Sequence, residues 1–118
     1  MKQSERLMPL KGAHLFSRAY RKGRSFSGGC MVLYVIPGRN ASASLLGITV
    51  SRKRGNAVAR NRVKRWIREA YRGFLPVLKK GKIIVIVAKQ PAVTAGYAVL
   101  RDELEELLGK AALLDAQP

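Results

Sequence analysis

Short hydrophobic blocks with helical or strand periodicity alternate along this chain with polar breaks that are rich in glycine. Residues 12–22 carry apolar side chains, including Phe16 and Tyr20, at the spacing of one helix face, with cations on the opposite face. Residues 29–36 and 45–51 have the composition of strands, and a turn-rich stretch separates them. The pattern therefore predicts a first amphipathic helix followed by two strands that form a hairpin.

Two further elements are predicted in the second half of the chain. Residues 82–89 contain an apolar run without polar alternation, which is typical of a central strand covered on both faces. After Pro91, Thr94 is the predicted N-cap of a last helix, and Gly109 is its predicted terminator. The apolar stripe of this helix comprises Tyr97, Leu100, Leu104, Leu107 and Leu108.

The most basic stretch, RNRVKRWIREAYR at residues 60–72, separates into two faces on a helical wheel. Its single acid, Glu69, cannot neutralise the basic face, and like charges four residues apart destabilise an isolated helix. Asn61 lies within the basic arc. This arrangement favours a surface for a polyanion over a merely solvated face. The apolar side holds Val63, Trp66, Ile67, Ala70 and Phe74, and the basic side holds Arg60, Lys64, Arg65, Arg68 and Arg72.

The composition points in the same direction. The 118 residues include 23 Lys and Arg against 7 Asp and Glu, and the net charge of +16 exceeds what solubility requires. A hydrophobic fraction of 47% is typical of a folded domain. No apolar run reaches the ~20 residues of a spanning helix, and the N-terminal stretch lacks the apolar core of a secretory signal. We expect one cytoplasmic nucleic-acid-binding domain at residues 1–118, with flexible ends at about 1–10 and 111–118.

Groups suited to catalysis or metal binding are sparse. Cys30 is the only cysteine and His14 the only histidine, which excludes an internal disulfide and leaves a zinc site without a framework. No paired carboxylates or histidines accompany the basic residues, and no glycine-rich phosphate loop is present. We expect no catalytic residue and no bound metal or cofactor in the chain itself.

The stretch SRKRGNAVARNRVKRWIREAYR, residues 51–72, resembles the signature of the bacterial ribonuclease P protein subunit. The resemblance extends to LFSRAYRKGRSF, MVLYV and IIVIVAKQPA in the expected order, and it covers most of residues 12–108. It implies an α+β fold, a compact single-domain α/β sandwich with the order αβββαβα, similar to the second domain of a small-subunit ribosomal protein. It also implies a left-handed crossover between parallel strands, where general rules favour a right-handed one.

The same resemblance implies a function. Members of the family are the RNA-binding subunit of a ribonucleoprotein endonuclease that removes the 5′ leader from precursor tRNA. Catalysis is carried out by a large RNA that requires Mg²⁺, and the protein holds the reactants in register. The implied partners are the catalytic RNA and precursor tRNA, with no membrane and no obligatory protein partner.

The resemblance places RNA contacts on two surfaces. The basic-helix surface, expected to meet the catalytic RNA, comprises Arg60, Asn61, Arg62, Lys64, Arg65 and Arg68. The leader cleft, between the first helix and the sheet, comprises Phe16, Tyr20, Tyr34, Ser51, Arg52, Lys53 and Lys89. Rings beside cations suit unpaired RNA, because bases stack on the rings while the cations follow the backbone. Gln90 stands where many relatives carry a second cation, and core packing is an equally good interpretation of Phe16.

Two other classes of protein share much of this pattern. A small ribosomal protein would bind ribosomal RNA through a similar basic helix and have no role in processing. A DNA-binding module is less favoured, because the sequence contains no clear helix-turn-helix or dimerisation seam. Phosphate contacts carry little sequence information, so charge alone does not separate these classes.

Overall fold

The computed structural model of the chain describes residues 8–9, 13–38, 43–51 and 55–115. The described elements follow the predicted order αβββαβα, preceded by a two-residue strand and with a short helix inserted before the last one. They are β1 (Met8–Pro9), α1 (Ala13–Lys22), β2 (Arg24–Ser27), β3 (Met31–Pro37), β4 (Leu45–Val50), α2 (Ala57–Phe74), β5 (Lys82–Ala88), α3 (Ala92–Ala95) and α4 (Tyr97–Lys110), with a 3₁₀ turn at Leu75–Val77. The predicted α+β class and element order are confirmed.

The strands form one sheet in the order β1-β4-β5-β3-β2. β5 lies at its centre, parallel to β4 and antiparallel to β3, which confirms the central strand predicted at residues 82–89. The predicted hairpin between residues 29–36 and 45–51 is wrong, because β5 separates these two strands, and β3 forms its hairpin with β2 instead. A strand that is apolar on both faces needs a partner on each side, and the local pattern does not show which strands supply them.

Helices cover both faces of the sheet. Because alternate side chains of a strand point to opposite faces, Ile83 and Val85 of β5 pack with Ala19 of α1, whereas Ile84 and Ile86 belong to the larger core beneath α2 and α4. This confirms the predicted sandwich. α2 connects the neighbouring parallel strands β4 and β5, and the left hand of that crossover stays a prediction. In the described ranges, no helix combines the length and apolar character needed to cross a membrane.

The start of α2 is determined by local capping chemistry. Oδ1 of Asn56 accepts a hydrogen bond from the backbone N–H of Ala59 at 2.9 Å, which satisfies a donor that the first turn leaves unpaired. Gly55 precedes the cap with φ 134°, a conformation that favours glycine. The predicted apolar side is confirmed, and Tyr71 is added to it. The buried residues are Val63, Ile67, Ala70 and Tyr71, with Trp66 and Phe74 packed partly against the same core.

The last helix begins later than the sequence predicts. Thr94 lies inside α3, and the N-cap of α4 is Gly96, which has φ 88° and offers no side-chain cap. The prediction that Thr94 caps the helix is wrong, because the chain makes one more helical turn after Pro91 before α4 starts. The leucines of the predicted stripe are buried, whereas Tyr97 is 40% exposed.

α4 also ends later than predicted. The helix continues through Gly109 to Lys110, and Ala112 adopts the left-handed conformation with φ 58°. The N–H of Ala112 donates to the carbonyl of Gly109 at 3.0 Å. The N–H of Leu113 donates to the carbonyl of Leu108 at 2.9 Å. These two bonds form a Schellman motif, so the prediction that Gly109 ends the helix is wrong, and an alanine occupies the position that glycine usually fills.

The C-terminal segment packs against the domain beyond residue 111, where the sequence predicts a flexible end. Leu113 is buried, and Leu114 forms an isolated β-bridge with Leu78. The N–H of Asp115 donates to the carbonyl of Val77 at 2.6 Å. At the other end of the chain, β1 pairs in parallel with β4. The packed part of the chain therefore includes some residues of both predicted ends.

Candidate nucleic-acid interface

The basic-helix surface lies on the outward side of α2. Asn61, Arg65 and Arg68 are exposed. The acid of this helix, Glu69, pairs with Arg72, so its charge is already offset by a cation outside the predicted set. In the described part of the chain, no carboxylate forms an ion pair with a cation of the basic-helix surface. The surface therefore keeps an uncompensated positive charge, which suits phosphate groups.

Arg60 and Arg62 lie at the two edges of this surface. Nε of Arg60 donates to the carbonyl of Gly55 at 3.3 Å, and the side chain is partly buried because its position on the wheel borders the apolar side. The guanidinium carbon of Arg62 lies 5.4 Å from the centroid of the Trp66 ring, a cation–π contact. The structure thus places all six predicted residues, with the partly buried Lys64, on one continuous arc of α2.

The aromatic part of the leader cleft lies between α1 and β3. The rings of Tyr20 and Tyr34 meet edge to face with their centroids 5.1 Å apart. Phe16 lies one turn earlier than Tyr20 on the same flank of α1, where it is partly buried and packs with the smaller core. The structure brings the three predicted rings to one region and supports both interpretations of Phe16, since the ring packs and remains partly exposed.

The polar part of the leader cleft lies at one edge of the sheet. β4 and β5 pair in parallel up to their last residues, Val50 and Ala88. Ser51 and Lys89, which follow them, therefore lie side by side at the carboxyl ends of these two strands, and this end is the edge of the sheet that carries the polar part of the cleft. Ser51 is exposed. Arg52 and Lys53, which were predicted to belong to the cleft, lie outside the described residues. Tyr34 is three residues along β3 from this edge, a separation of about 10 Å.

The ammonium of Lys89 is held by the turn between β2 and β3. Its Nζ donates to Oγ of Ser27 at 2.7 Å and to the carbonyl of Gly28 at 2.6 Å. An ammonium carries three N–H donors, so one donor remains for a ligand. Gln90 is exposed in the turn that follows, where it adds no charge. Among the described residues, this edge of the sheet therefore presents the oriented ammonium of Lys89 to the cleft.

Glu103 of α4 holds this turn, and sequence reasoning missed it. Its carboxylate accepts a hydrogen bond from the N–H of Cys30 at 2.9 Å and one from the N–H of Met31 at 2.8 Å. The sequence pattern places Glu103 among the other acids of the last helix, and nothing in its spacing distinguishes it from them. Burial is the main cause that raises the pKa of the Cys30 thiol, and the negative charge of Glu103 raises this pKa further. The positive charge of Lys89 lowers it by a smaller amount. Cys30 is buried in the larger core cluster.

A concavity of about 530 Å³ lies on the other flank of α1. Arg18 is two residues before Tyr20, so the two side chains point about 200° apart around the helix. The concavity contains no residue predicted for either RNA-binding surface, and we assign no ligand to it. Its lining residues are His14, Leu15, Arg18, Pro37, Gly38, Leu45 and Ile83.

The fold and the charge distribution define an α+β nucleic-acid-binding domain whose dominant feature in the described residues is the basic-helix surface, whose cations pair with no carboxylate. The family model of Ribonuclease P matches residues 1–112. The chain belongs to the ribonuclease P protein family.

Relatives with known names agree with this assignment. The chain is 36% identical to the ribonuclease P protein component of Symbiobacterium thermophilum over 92% of this chain and 94% of that protein. It is 42% identical to the component of Clostridium acetobutylicum over 84% of each chain. Both matches extend well beyond the basic helix, so the similarity concerns the whole domain.

Solved structures show the same fold. A mutant of the Staphylococcus aureus RNase P protein with defective mRNA degradation activity superposes with a TM-score of 0.83 at 33% identity, covering 90% of this chain and 89% of that one. The RNase P protein of Thermotoga maritima superposes with a TM-score of 0.78 at 29% identity, covering 86% and 96%.

These findings confirm the resemblance that the sequence predicted. The chain is the protein subunit of ribonuclease P, a tRNA-processing endoribonuclease complex, and it associates with the RNA of that complex. The ribosomal alternative is not favoured, because the similarity covers most of the chain rather than the basic helix alone.

Proposed function

We propose that this chain binds the single-stranded 5′ leader of precursor tRNA in the leader cleft while the basic-helix surface contacts the catalytic RNA. The observation that carries this proposal is the partly exposed Tyr20–Tyr34 pair beside the oriented cation Lys89. Unpaired bases stack on aromatic rings, and cations follow the phosphates between them. A duplex would not use these rings, because its bases are already stacked.

The basic-helix surface suits a different kind of RNA. Its arginines are dense, and Trp66, a ring of the neighbouring apolar side, is already covered by Arg62. Arginine forks bind phosphate without reading unpaired bases, so this surface fits the folded catalytic RNA. The leader cleft thus binds the substrate, and the basic-helix surface binds the catalytic RNA.

We assign bond cleavage to the RNA, with Mg²⁺ bound there rather than by the protein. Within the described ranges, no group of three or more His, Cys, Asp or Glu is placed to hold a metal ion. Glu103, whose carboxylate lies against the turn that follows β2, is occupied by the backbone N–H groups of Cys30 and Met31. The protein contributes by holding substrate and catalytic RNA in register, an effect that reaches several kcal/mol in well-oriented reactions. We place this activity in the cytoplasm and assign it no obligatory protein partner.

A cleavage assay at low Mg²⁺ tests the proposal. Catalytic RNA is incubated with precursor tRNA, with and without the protein, and the released leader is measured. We expect strong stimulation by the protein, because its cations replace part of the Mg²⁺ that screens repulsion between the two RNAs. The matched control is a precursor tRNA whose leader is shortened to one nucleotide, for which we expect much weaker stimulation. Equal stimulation of both substrates would contradict the leader cleft.

A further inference from the structure

The ammonium of Lys89 is hydrogen-bonded to the connection between β2 and β3. Residues 28–30 connect β2 to β3. The Lys89 ammonium donates to the carbonyl of Gly28 in this turn and to Oγ of Ser27, the residue of β2 just before it. Ser27 is the last residue of an edge strand that is only four residues long. Edge strands and turn tips are the parts of a sheet that open most easily. A displaced turn would carry the acceptors of Lys89 with it.

Glu103 holds this turn from the opposite side of the sheet. α4 lies on the face away from α1, and its Glu103 carboxylate accepts from Cys30 and Met31 at 2.9 and 2.8 Å. A side chain added at Gly28 would place its Cβ 2.5 Å from Oε2 of Glu103, so the carboxylate also packs directly against the turn. Two charge-assisted hydrogen bonds and close packing therefore immobilise the segment that carries the acceptors of Lys89.

We propose that Glu103 is a positioning residue for the leader cleft, acting through the β2–β3 turn on Lys89. The proposal rests on the proposed function, because it takes the leader phosphate as the ligand of the remaining Lys89 donor. Glu103 fixes the N–H groups of Cys30 and Met31, the fixed turn presents Ser27 Oγ and the Gly28 carbonyl, and these hold the ammonium at the edge of the sheet. Glu103 itself does not contact RNA.

A matched pair of variants tests this role in the reconstituted holoenzyme. Cys30 and Met31 both donate to Oε2 of Glu103, and Cys30 also donates to Oε1 at 3.1 Å. Glu103→Gln removes the charge and replaces one of these oxygens with an NH₂ donor, which opposes the N–H of Cys30. Glu105→Gln makes the same charge change at an exposed position of α4. We expect Glu103→Gln to lower the ratio of the affinities for precursor and mature tRNA by about threefold to tenfold. The reason is that a loosely held Lys89 ammonium contributes less binding energy to its contact with a leader phosphate. We expect the ratio for Glu105→Gln to be unchanged.

A double-mutant cycle separates positioning from a general loss of stability. If Glu103 acts through Lys89, adding Glu103→Gln to Lys89→Ala should lower the ratio no further, because the positioned group is already absent. Additive losses would overturn the proposal, and so would an unchanged ratio in Glu103→Gln when Lys89→Ala lowers it. The second of these outcomes would leave the leader cleft itself intact, and the Tyr20 comparison described below tests that cleft independently.

A second variant keeps the test decisive if Glu103→Gln folds poorly. Ser27→Ala removes one acceptor of the Lys89 ammonium at an exposed position and leaves the contacts of Glu103 in place. We expect it to lower the same ratio by about twofold to fivefold, again without further loss in the Lys89→Ala background. A folded Ser27→Ala protein with an unchanged ratio would overturn the proposal.

Discussion

The ring of Tyr20 on α1 meets the ring of Tyr34 on β3 edge to face, with centroids 5.1 Å apart and ring planes at 73°. This contact joins the first helix to the sheet, and it leaves Tyr20 43% exposed. The contact restrains both rings, and Tyr34 is partly buried while Tyr20 stays accessible. The pair is therefore already arranged to accept a base before RNA binds.

The first prediction concerns this pair. Tyr20→Ala should weaken the binding of precursor tRNA by about 1–3 kcal/mol, because a base loses its stacking surface. Mature tRNA has no leader, so its affinity should change little. The measurement is the dissociation constant of the holoenzyme for each tRNA at one fixed salt concentration.

The chain offers a control for this experiment. Tyr97 on α4 is exposed to a similar degree, 40%, and lies outside the leader cleft. Tyr97→Ala should leave both tRNA affinities unaltered. The melting temperature of the Tyr20 variant must be compared with that of the unmodified protein, because lost packing lowers stability as well. Equal weakening for both tRNAs in a stable Tyr20→Ala protein would refute the cleft assignment.

The second prediction concerns the basic-helix surface. Arg68→Ala should weaken binding to the catalytic RNA and reduce the slope of log affinity against log salt by roughly 0.7–0.9, the contribution of one phosphate contact. Arg101→Ala removes an exposed arginine that lies beside Asp102 on α4, and it should leave the slope unchanged. A slope that is identical in both variants would mean that Arg68 is only a solvated charge.

The third prediction concerns metal ions. Cys30 and His14 are the chain's only cysteine and histidine, so a structural zinc site has too few ligands. Adding a chelator to the isolated protein should leave its circular dichroism spectrum and its melting temperature unaltered. The same chelator should stop cleavage by the holoenzyme, which serves as the positive control. Unfolding on chelation would show that the protein binds a structural metal.

The fourth prediction concerns the end of α4. Gly109→Ala should raise the free energy of unfolding by up to about 1 kcal/mol, because the residue is helical and a Cβ there meets nothing within 4 Å. Ala112→Gly should also stabilise the protein, by roughly 0.5–1 kcal/mol, since it relieves the left-handed conformation of an alanine. Denaturant melts of the two variants give both values. Destabilisation by Gly109→Ala would support the helix end that the sequence pattern predicts.

The fifth prediction concerns the buried phenol of Tyr71. In the described part of the chain its hydroxyl has no hydrogen-bond partner, and burial raises the pKa of Tyr71. Tyr71→Phe should therefore be neutral or stabilise the protein by up to about 1 kcal/mol at pH 7. Above about pH 10, the unfolded chain releases this proton while the folded chain retains it, so stability falls as pH rises. Melts between pH 8 and about pH 11 should show a shallower decline for Tyr71→Phe.

Much of this architecture follows from the sequence because it depends on local periodicity. The two faces of α2 are determined by the spacing of apolar and basic residues, and burial of Val63 and Ile67 leaves the arginines outside. The central position of β5 follows from a run that is apolar on both sides. The family resemblance also rests on linear motifs, and it correctly indicated the order of elements and the protein's role.

The tertiary structure alone decided which distant residues meet. Strand pairing depends on the energy of the whole sheet, so the sequence pattern wrongly joined β3 to β4, although β5 lies between them. The Schellman motif after α4 places an alanine, Ala112, in the left-handed conformation, and burial of Leu113 outweighs the preference for glycine there. Glu103 resembles its acidic neighbours until the fold places it beside the turn that holds Lys89. Local spacing determines which side chains each surface carries. Contacts between residues far apart in the chain form only when the core packs. These contacts set the position of each side chain.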